Sequence, residues 1–322
     1  MLTIHGLVDG ALITAAISNA MPPEGPAVWF DLLEPTEDED ADVEKMLGVA
    51  VPTRAEMEEI EVSSRLYAED GALYMTALVQ VHSDTATPHL TPVTFILSGN
   101  RLATVRYEKP RSFEIYRNRA ERPGFGLVDG RGVLLGLLET IVDRLADALE
   151  KIGADIEVLS RAVFRSRRER EKGLEDAITG IGSLGGAVSR AEESIVSLAR
   201  LFHFLAEHGG RDRLDPDGRS RLITLDHDIR SLAEHTKSLD AKVNFLLSAT
   251  LGLVGLEQNT IVKIFSILAV VFMPPTLIAS IYGMNFHGMP ELDKPWGYPM
   301  ALGLMIASVA TTFAVFKWKR WL

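Results

Sequence analysis

Two long apolar stretches close to the C-terminal end constrain this chain more than any other feature. From Ile261 to Tyr282, 22 residues carry one charge, Lys263; from Tyr298 to Phe316, 19 residues carry none. Each is long enough to cross roughly 30 Å of hydrocarbon at about 1.5 Å per residue. A buried hairpin of core helices is the alternative, and the flanks argue against it. Trp296 and Tyr298 stand at one end of the second stretch and Trp318 and Trp321 at the other, as interfacial aromatic belts require. The expected membrane domain is therefore 260–322, with spans 261–282 and 298–316, a connecting loop 283–297 and a tail 317–322.

Charge sets the orientation. The second span ends in Lys317-Trp318-Lys319-Arg320, whereas the loop holds Glu291, Asp293 and one basic residue, Lys294. The positive-inside rule places the tail in the cytoplasm, and two crossings then leave the N-terminal body there too, with the loop outside. The formal net charge of -11 conceals this division, because residues 1–259 carry 28 basic and 42 acidic groups, a balance of -14. Such a body repels phosphate backbones, so nucleic acid is excluded as a partner. The absence of cysteine removes disulfides, thiolate zinc sites and cysteine nucleophiles. Residues 1–21 lack a basic start and contain Asp9, so they do not read as a signal peptide.

Upstream of the spans, residues 1–125 read as a cytosolic α/β domain. β-rich runs (Val28 to Leu32, Leu73 to Val81, Val93 to Leu97, Leu102 to Tyr107) alternate with acidic helical stretches, Val43 to Met46 and Ala55 to Ser63. Residues 126–259 read as a long-helix stalk. Leu138, Ile141, Leu145, Leu149, Ile152, Ile156, Leu159 and Val163 recur at three- and four-residue steps, as on the packed seam of one helix. A second helix is expected from Leu174 to His208. A third extends without proline from 217 to 273, its seam marked by Ile229, Leu232, Thr236, Leu239, Val243, Leu246, Thr250 and Leu253. If continuous, it would be about 86 Å long at about 1.5 Å per residue, enough to carry an event in the body into the membrane.

Catalytic equipment is missing from the sequence. There is no phosphate-binding G-x-x-x-x-G-K-[ST] loop, no H-E-x-x-H and no G-x-S-x-G. Gly180, Gly182 and Gly185 match the dinucleotide spacing but follow a helical stretch rather than a strand, so neither an enzyme nor a nucleotide cofactor is expected. Seven of the eleven residues from Glu34 to Glu44 are acids. They suit either a solvated helix start or loose binding of a hard divalent cation at a subunit boundary. In the first span Asn259, Met273, Thr276, Ser280 and Asn285 interpose polar or polarisable groups, and Pro274-Pro275 interrupts the backbone hydrogen bonds midway. One pair of such helices cannot enclose a pore, so an oligomer is implied.

Tyr282-Gly283-Met284-Asn285-Phe286, followed by Met289-Pro290-Glu291-Leu292 and Gly297-Tyr298-Pro299, resembles the signature of the CorA magnesium transport family. The similarity continues in Lys242-Val243-Asn244-Phe245-Leu246, Glu257-Gln258-Asn259, Lys263-Ile264-Phe265-Ser266 and Phe272-Met273-Pro274-Pro275-Thr276. More sparsely, it extends to Trp29-Phe30-Asp31-Leu32, Glu34-Pro35 and Arg54-Ala55-Glu56-Met57-Glu58.

The resemblance implies an α+β membrane protein: an N-terminal cytosolic α/β domain, a long helical stalk and two C-terminal transmembrane helices, assembled as a funnel-shaped homopentamer. It implies a location in a bacterial inner membrane with both termini cytoplasmic. Carried over by position, Gly283, Met284 and Asn285 form the outer selectivity filter. Asn259 lies at the cytoplasmic mouth, Phe265 and Met273 form apolar constrictions, and Thr276 and Ser280 line the pore. Family members commonly carry Leu at the position of Phe265. The implied cargo is Mg²⁺, with Co²⁺ and Ni²⁺ tolerated, moving inward down its electrochemical gradient. Mg²⁺ would also be the regulatory ligand, for which Asp226, Asp228, Glu37, Asp38 and Asp40 are candidates.

Ion chemistry fits those expectations. Mg²⁺ sheds its waters reluctantly, so a ring of neutral amide oxygens accepts hydrogen bonds from the hydrated ion without stripping it. Glu291 and Asp293 in the loop would concentrate cations outside the pore. Inward movement of two charges gains roughly 4.6 kcal/mol per 100 mV of inside-negative potential, so no ATP site is required. Two other readings stay open from sequence: a ZntB-like Zn²⁺ transporter of the same fold, and a membrane sensor that does not conduct.

Overall fold

The computed structural model describes residues 1–16, 25–81, 88–164, 173–209, 215–284, 290 and 294–319. The chain divides into two compact units, Met1–Leu247 and Ser248–Leu322.

In the first unit, a seven-stranded sheet is built from β1 (Leu2–Val8), β2 (Ala11–Ala16), β3 (Ala27–Leu33), β4 (Leu66–Glu69), β5 (Ala72–Val81), β6 (His89–Ser98) and β7 (Arg101–Arg106). The strand order is β2-β1-β3-β7-β6-β5-β4. The β3–β7 pair is parallel, with Trp29 opposite Leu102 and Asp31 opposite Thr104, and all other neighbours are antiparallel. The strands expected from sequence correspond to β3, β5, β6 and β7. The β1–β2 hairpin and the short edge strand β4 are additional. Asp9 and Gly10 make the hairpin turn, both at positive φ (48° and 75°), the conformation a tight two-residue turn demands.

Alternation along the strands divides the core in two. Phe30, Leu32, Tyr74, Ile96 and Val105 face one side, where they pack with Val43 of α1 (Glu37–Leu47) and Met57 of α2 (Arg54–Glu58). Trp29, Leu73, Met75, Phe95, Leu97 and Leu102 face the other. That side is covered by α4 (Arg111–Ala120), α5 (Gly130–Val163) and α6 (Leu174–His208). The acidic stretch Ala55 to Ser63, expected as one helix, is split between α2 and the one-turn α3 (Val62–Arg65), because Glu59 turns out of the helix at φ -56°, ψ 142°. Both α1 and α2 start on capping boxes, Thr36 with Glu39 and Thr53 with Glu56.

The stalk seam packs as its spacing requires. Leu138, Ile141, Leu145, Leu149, Ile152, Ile156 and Val163 of α5 are buried, as are Ile195, Leu198 and Leu205 of α6. Gly130 starts α5 against the sheet: a Cβ there would stand 2.6 Å from the Leu102 nitrogen and 2.7 Å from the Val28 oxygen. The glycine triad at 180, 182 and 185 lies inside α6, with no strand before it.

Helix α7, Pro216–Tyr282, is a single element of 67 residues that runs through Pro274 and Pro275. Ile229, Thr236, Leu239, Val243 and Leu246 of its seam are buried. The second unit contains the end of α7 and α8 (Gly297–Trp318).

Candidate functional site

In α7 and α8 the structure contains two helices long and apolar enough to cross a membrane. None of the most apolar 18-residue window of α7 is buried within the chain, and only 11% of that of α8. A core hairpin would hide those faces, whereas a lipid-facing pair leaves them bare. Phe265 and Met273 are each 68% exposed, and Ile306 is 70% exposed. At about 1.5 Å per residue the 22 residues of α8 reach about 33 Å, a bilayer's hydrocarbon thickness. Trp296 and Tyr298 are exposed at its start and Trp318 at its end, and the Lys294 ammonium lies 5.5 Å from the Trp296 ring centre.

Hydroxyls along both helices bond to their own backbone, as a medium without water requires. In α8, Ser308 donates to the Met305 carbonyl at 2.7 Å, Thr311 to Ala307 at 2.8 Å and Thr312 to Ser308 at 2.9 Å. In α7, Thr260 donates to Leu256 at 2.9 Å and Thr276 to Phe272 at 2.7 Å. The two prolines remove N–H groups that the Val270 and Val271 carbonyls would otherwise accept, yet the helix continues through them. The midway interruption is therefore a local loss of hydrogen bonds rather than a break.

Asn259, Phe265, Met273, Thr276 and Ser280 all lie on α7 and are all exposed. At about 100° per residue they fall within an arc of roughly 120°. One side of the helix thus carries an amide, two bulky apolar groups and two hydroxyls in succession. Gly283 follows the helix end: its N–H donates to the Ala279 carbonyl at 2.8 Å, and Met284 N–H to Ile281 at 3.3 Å. Asn285, Glu291 and Asp293, expected in the filter and the outer loop, lie outside the described residues.

The candidate regulatory acids are spread across separate elements. Glu37, Asp38 and Asp40 occupy the first turn of α1, where they oppose the helix dipole. Their neighbour Glu39 holds the Met1 ammonium at 2.8 Å and the Leu2 N–H at 2.8 Å. Burial, reinforced by Glu44 and Glu39, raises the pKa of Asp40. Asp226 pairs with Arg230 at 2.9 Å one turn along α7, and Asp228 lies 3.7 Å from the His227 ring. Among the described residues of one chain, no three His, Cys, Asp or Glu side chains converge to hold a metal.

Sequence reasoning passed over a buried polar chain in the sheet. Trp29 Nε1 donates to Thr104 Oγ1 at 2.9 Å, Thr104 to Asp31 Oδ1 at 2.8 Å, and Arg106 clamps both Asp31 oxygens at 3.0 and 2.6 Å. The signal available was an Asp and an Arg placed within otherwise apolar strands.

The sequence profile described as "CorA-like Mg2+ transporter protein" matches residues 24–320. The chain is 36% identical to the magnesium transport protein CorA of Escherichia coli (strain K12) over 324 residues, covering all of both chains. It is 36% identical to the CorA of Haemophilus influenzae (strain ATCC 51907 / DSM 11121 / KW20 / Rd) over 296 residues, 92% of each. Among solved structures, the complete CorA magnesium transporter from Methanocaldococcus jannaschii superposes with a TM-score of 0.78 at 17% identity, covering 100% of this chain and 99% of that one. The full-length CmaX protein gives 0.71 at 15% identity, with 100% and 98% covered. The structural matches establish the fold, and the extent of sequence identity establishes the family, one of transporters rather than enzymes. With its α/β domain, long helix and paired apolar C-terminal helices, this chain belongs to the CorA-like Mg²⁺ transporter family.

Proposed function

We propose that this chain is the subunit of a homopentameric Mg²⁺ channel of a bacterial inner membrane, both termini cytoplasmic, with Co²⁺ and Ni²⁺ as additional cargo. The observation that carries the reading is the exposed arc of α7: Asn259, Phe265, Met273, Thr276 and Ser280 are all exposed and share one side of its C-terminal part, whose most apolar window has no residue buried within the chain. Five such arcs around one axis make a continuous polar and apolar lining. The relatives' names supply the ion.

In this reading Asn285 and the Gly283 carbonyl ring the outer mouth, beside Met284. They hold hydrated Mg²⁺ through its water shell, so the ion enters at little dehydration cost and leaves again. Glu291 and Asp293 raise the local cation concentration. Phe265 and Met273 close the path by excluding water when the lining narrows. Divalent ions binding between neighbouring subunits, at Asp226, Asp228 or the α1 acids Glu37, Asp38 and Asp40, favour the closed arrangement, so depletion of internal Mg²⁺ opens it. Of these acids, Asp226 and Asp228 stand on α7, the same helix that carries the lining residues.

Growth of a Mg²⁺-uptake-deficient bacterium tests this reading. Wild-type protein restores growth at low Mg²⁺ and Asn285→Ala, at equal membrane abundance, does not. Full rescue by Asn285→Ala would overturn the filter, and no rescue by the wild type would overturn the Mg²⁺ assignment.

A further inference from the structure

Seven residues separate Asn259 from Ser266, Ser266 from Met273 and Met273 from Ser280. A step of seven advances about 10 Å along a helix and drifts round it by only about 20°. Ser266 therefore stands on the same line of α7 as three of the expected lining residues, and like them it is exposed. The other residues of that arc between Asn259 and Thr276 are Val262, Phe265, Ala269 and Met273, all apolar. Ser266 is the polar group that interrupts them.

Its hydroxyl also differs from most others in the two spans. Thr260, Thr276, Ser308, Thr311 and Thr312 each donate to a backbone carbonyl of their own helix. The exceptions are Ser266 and Ser280, which are exposed and make no hydrogen bond to any described residue. A bare hydroxyl facing hydrocarbon costs free energy that a backbone bond would have offset, whereas one facing water is satisfied by solvent. The two bare hydroxyls flank Met273 at about 10 Å to either side along the helix. The Thr276 hydroxyl, nearer to Met273, is already spent on the Phe272 carbonyl at 2.7 Å.

We infer that Ser266 is a water-facing residue of the conduction path, its hydroxyl accepting a hydrogen bond from the water shell of the ion on the cytosolic side of Met273, as that of Ser280 does on the outer side. The inference rests on the transport reading and adds to it the residue that divides the apolar stretch between Phe265 and Met273. Without that hydroxyl the constriction lengthens, sheds water more readily and offers the hydrated ion no partner on its way out.

The chain contains no cysteine, so the native sequence is its own background for thiol labelling. Ser266→Cys, Ser280→Cys and Leu268→Cys, the last about 200° round the helix from Ser266, are treated in proteoliposomes with a small cationic methanethiosulfonate reagent in EDTA. Ser266→Cys and Ser280→Cys should react and Leu268→Cys should not. In the same vesicles Ser266→Ala should lower Mg²⁺ influx roughly 5-fold, the weight of one hydrogen bond, at wild-type abundance and elution volume. An unreactive Ser266→Cys, equal labelling of Leu268→Cys, or wild-type influx through Ser266→Ala would overturn the inference. Mg²⁺ influx by the wild type in those vesicles decides the transport reading separately: its presence leaves that reading standing, and its absence overturns it together with the role of Ser266.

Discussion

Asp31 on β3 and Arg106 on β7 form a two-pronged ion pair in the sheet, with nitrogen–oxygen distances of 3.0 and 2.6 Å and both side chains 9% exposed. Arg106 Nη1 also donates to the Glu108 carbonyl at 2.9 Å, and the guanidinium lies 4.7 Å from the centre of the Phe113 ring. The pair therefore ties together the one parallel strand pairing of the sheet and the helix that covers it.

Removing one partner leaves the other charged and buried, which is worse than removing both. Arg106→Gln should destabilise the unit Met1–Leu247 by roughly 3 kcal/mol. The double variant Asp31→Asn/Arg106→Gln should lose less than the sum of the two single changes. Chemical denaturation followed by far-UV circular dichroism measures both, and additive losses would show that the two side chains do not act as a pair.

Gly130 is held by close approach, since a Cβ would press on backbone atoms of β7 and β3 rather than on movable side chains. Gly130→Ala should cost about 1–3 kcal/mol even though alanine is the better helix former. Gly182→Ala, in α6 with nothing within 4 Å of its added carbon, should be neutral or slightly stabilising. Thermal melting of the two variants side by side distinguishes packing from propensity.

His5 lies against Trp29, ring centres 4.3 Å apart, with Nδ1 3.0 Å from Thr14 Oγ1. Burial lowers its pKa from 6.5 to about 4; Asp31 and Glu121 oppose that shift, while Arg117 and Arg106 reinforce it. The folded protein thus keeps His5 neutral where the unfolded chain has taken up a proton. Stability is unaffected above the unfolded value and falls as pH drops from about 6.5 towards 4, by up to roughly 3 kcal/mol. His5→Phe, which retains the stacking, should flatten that part of the stability–pH curve. Identical slopes in variant and wild type would locate the acid sensitivity elsewhere.

Legibility in the sequence tracked local regularity. The apolar steps from Leu138 to Val163 end where α5 ends, and Leu174 to His208 are the bounds of α6, because three- and four-residue spacing has one structural solution. The β1–β2 hairpin escaped because Gly6, Ala11, Ala15 and Ala16 dilute its alternation, and it is held by pairing with β3, a long-range contact. Helix α4 was passed over although Phe113, Tyr116 and Ala120 mark its buried side, since its five charged or amide residues resemble a loop. In α7 the residues were legible but their sharing of one exposed side was a consequence of a helix continuing through two prolines. The partnership of Asp31 with Arg106 could not be read from the sequence, because the two meet only when β3 and β7 pair in parallel.

Transport is tested most directly by Mg²⁺ entry into liposomes containing the purified protein, followed with an internal Mg²⁺-sensitive dye under an imposed inside-negative potential. The account predicts saturable influx that rises with the potential, falls when Mg²⁺ is preloaded on the cytosolic side, and under that preloading is raised at least about 10-fold by Met273→Asp, whose carboxylate wets the apolar constriction of α7. Influx equal to that of protein-free liposomes, or influx unchanged by Met273→Asp, would contradict it.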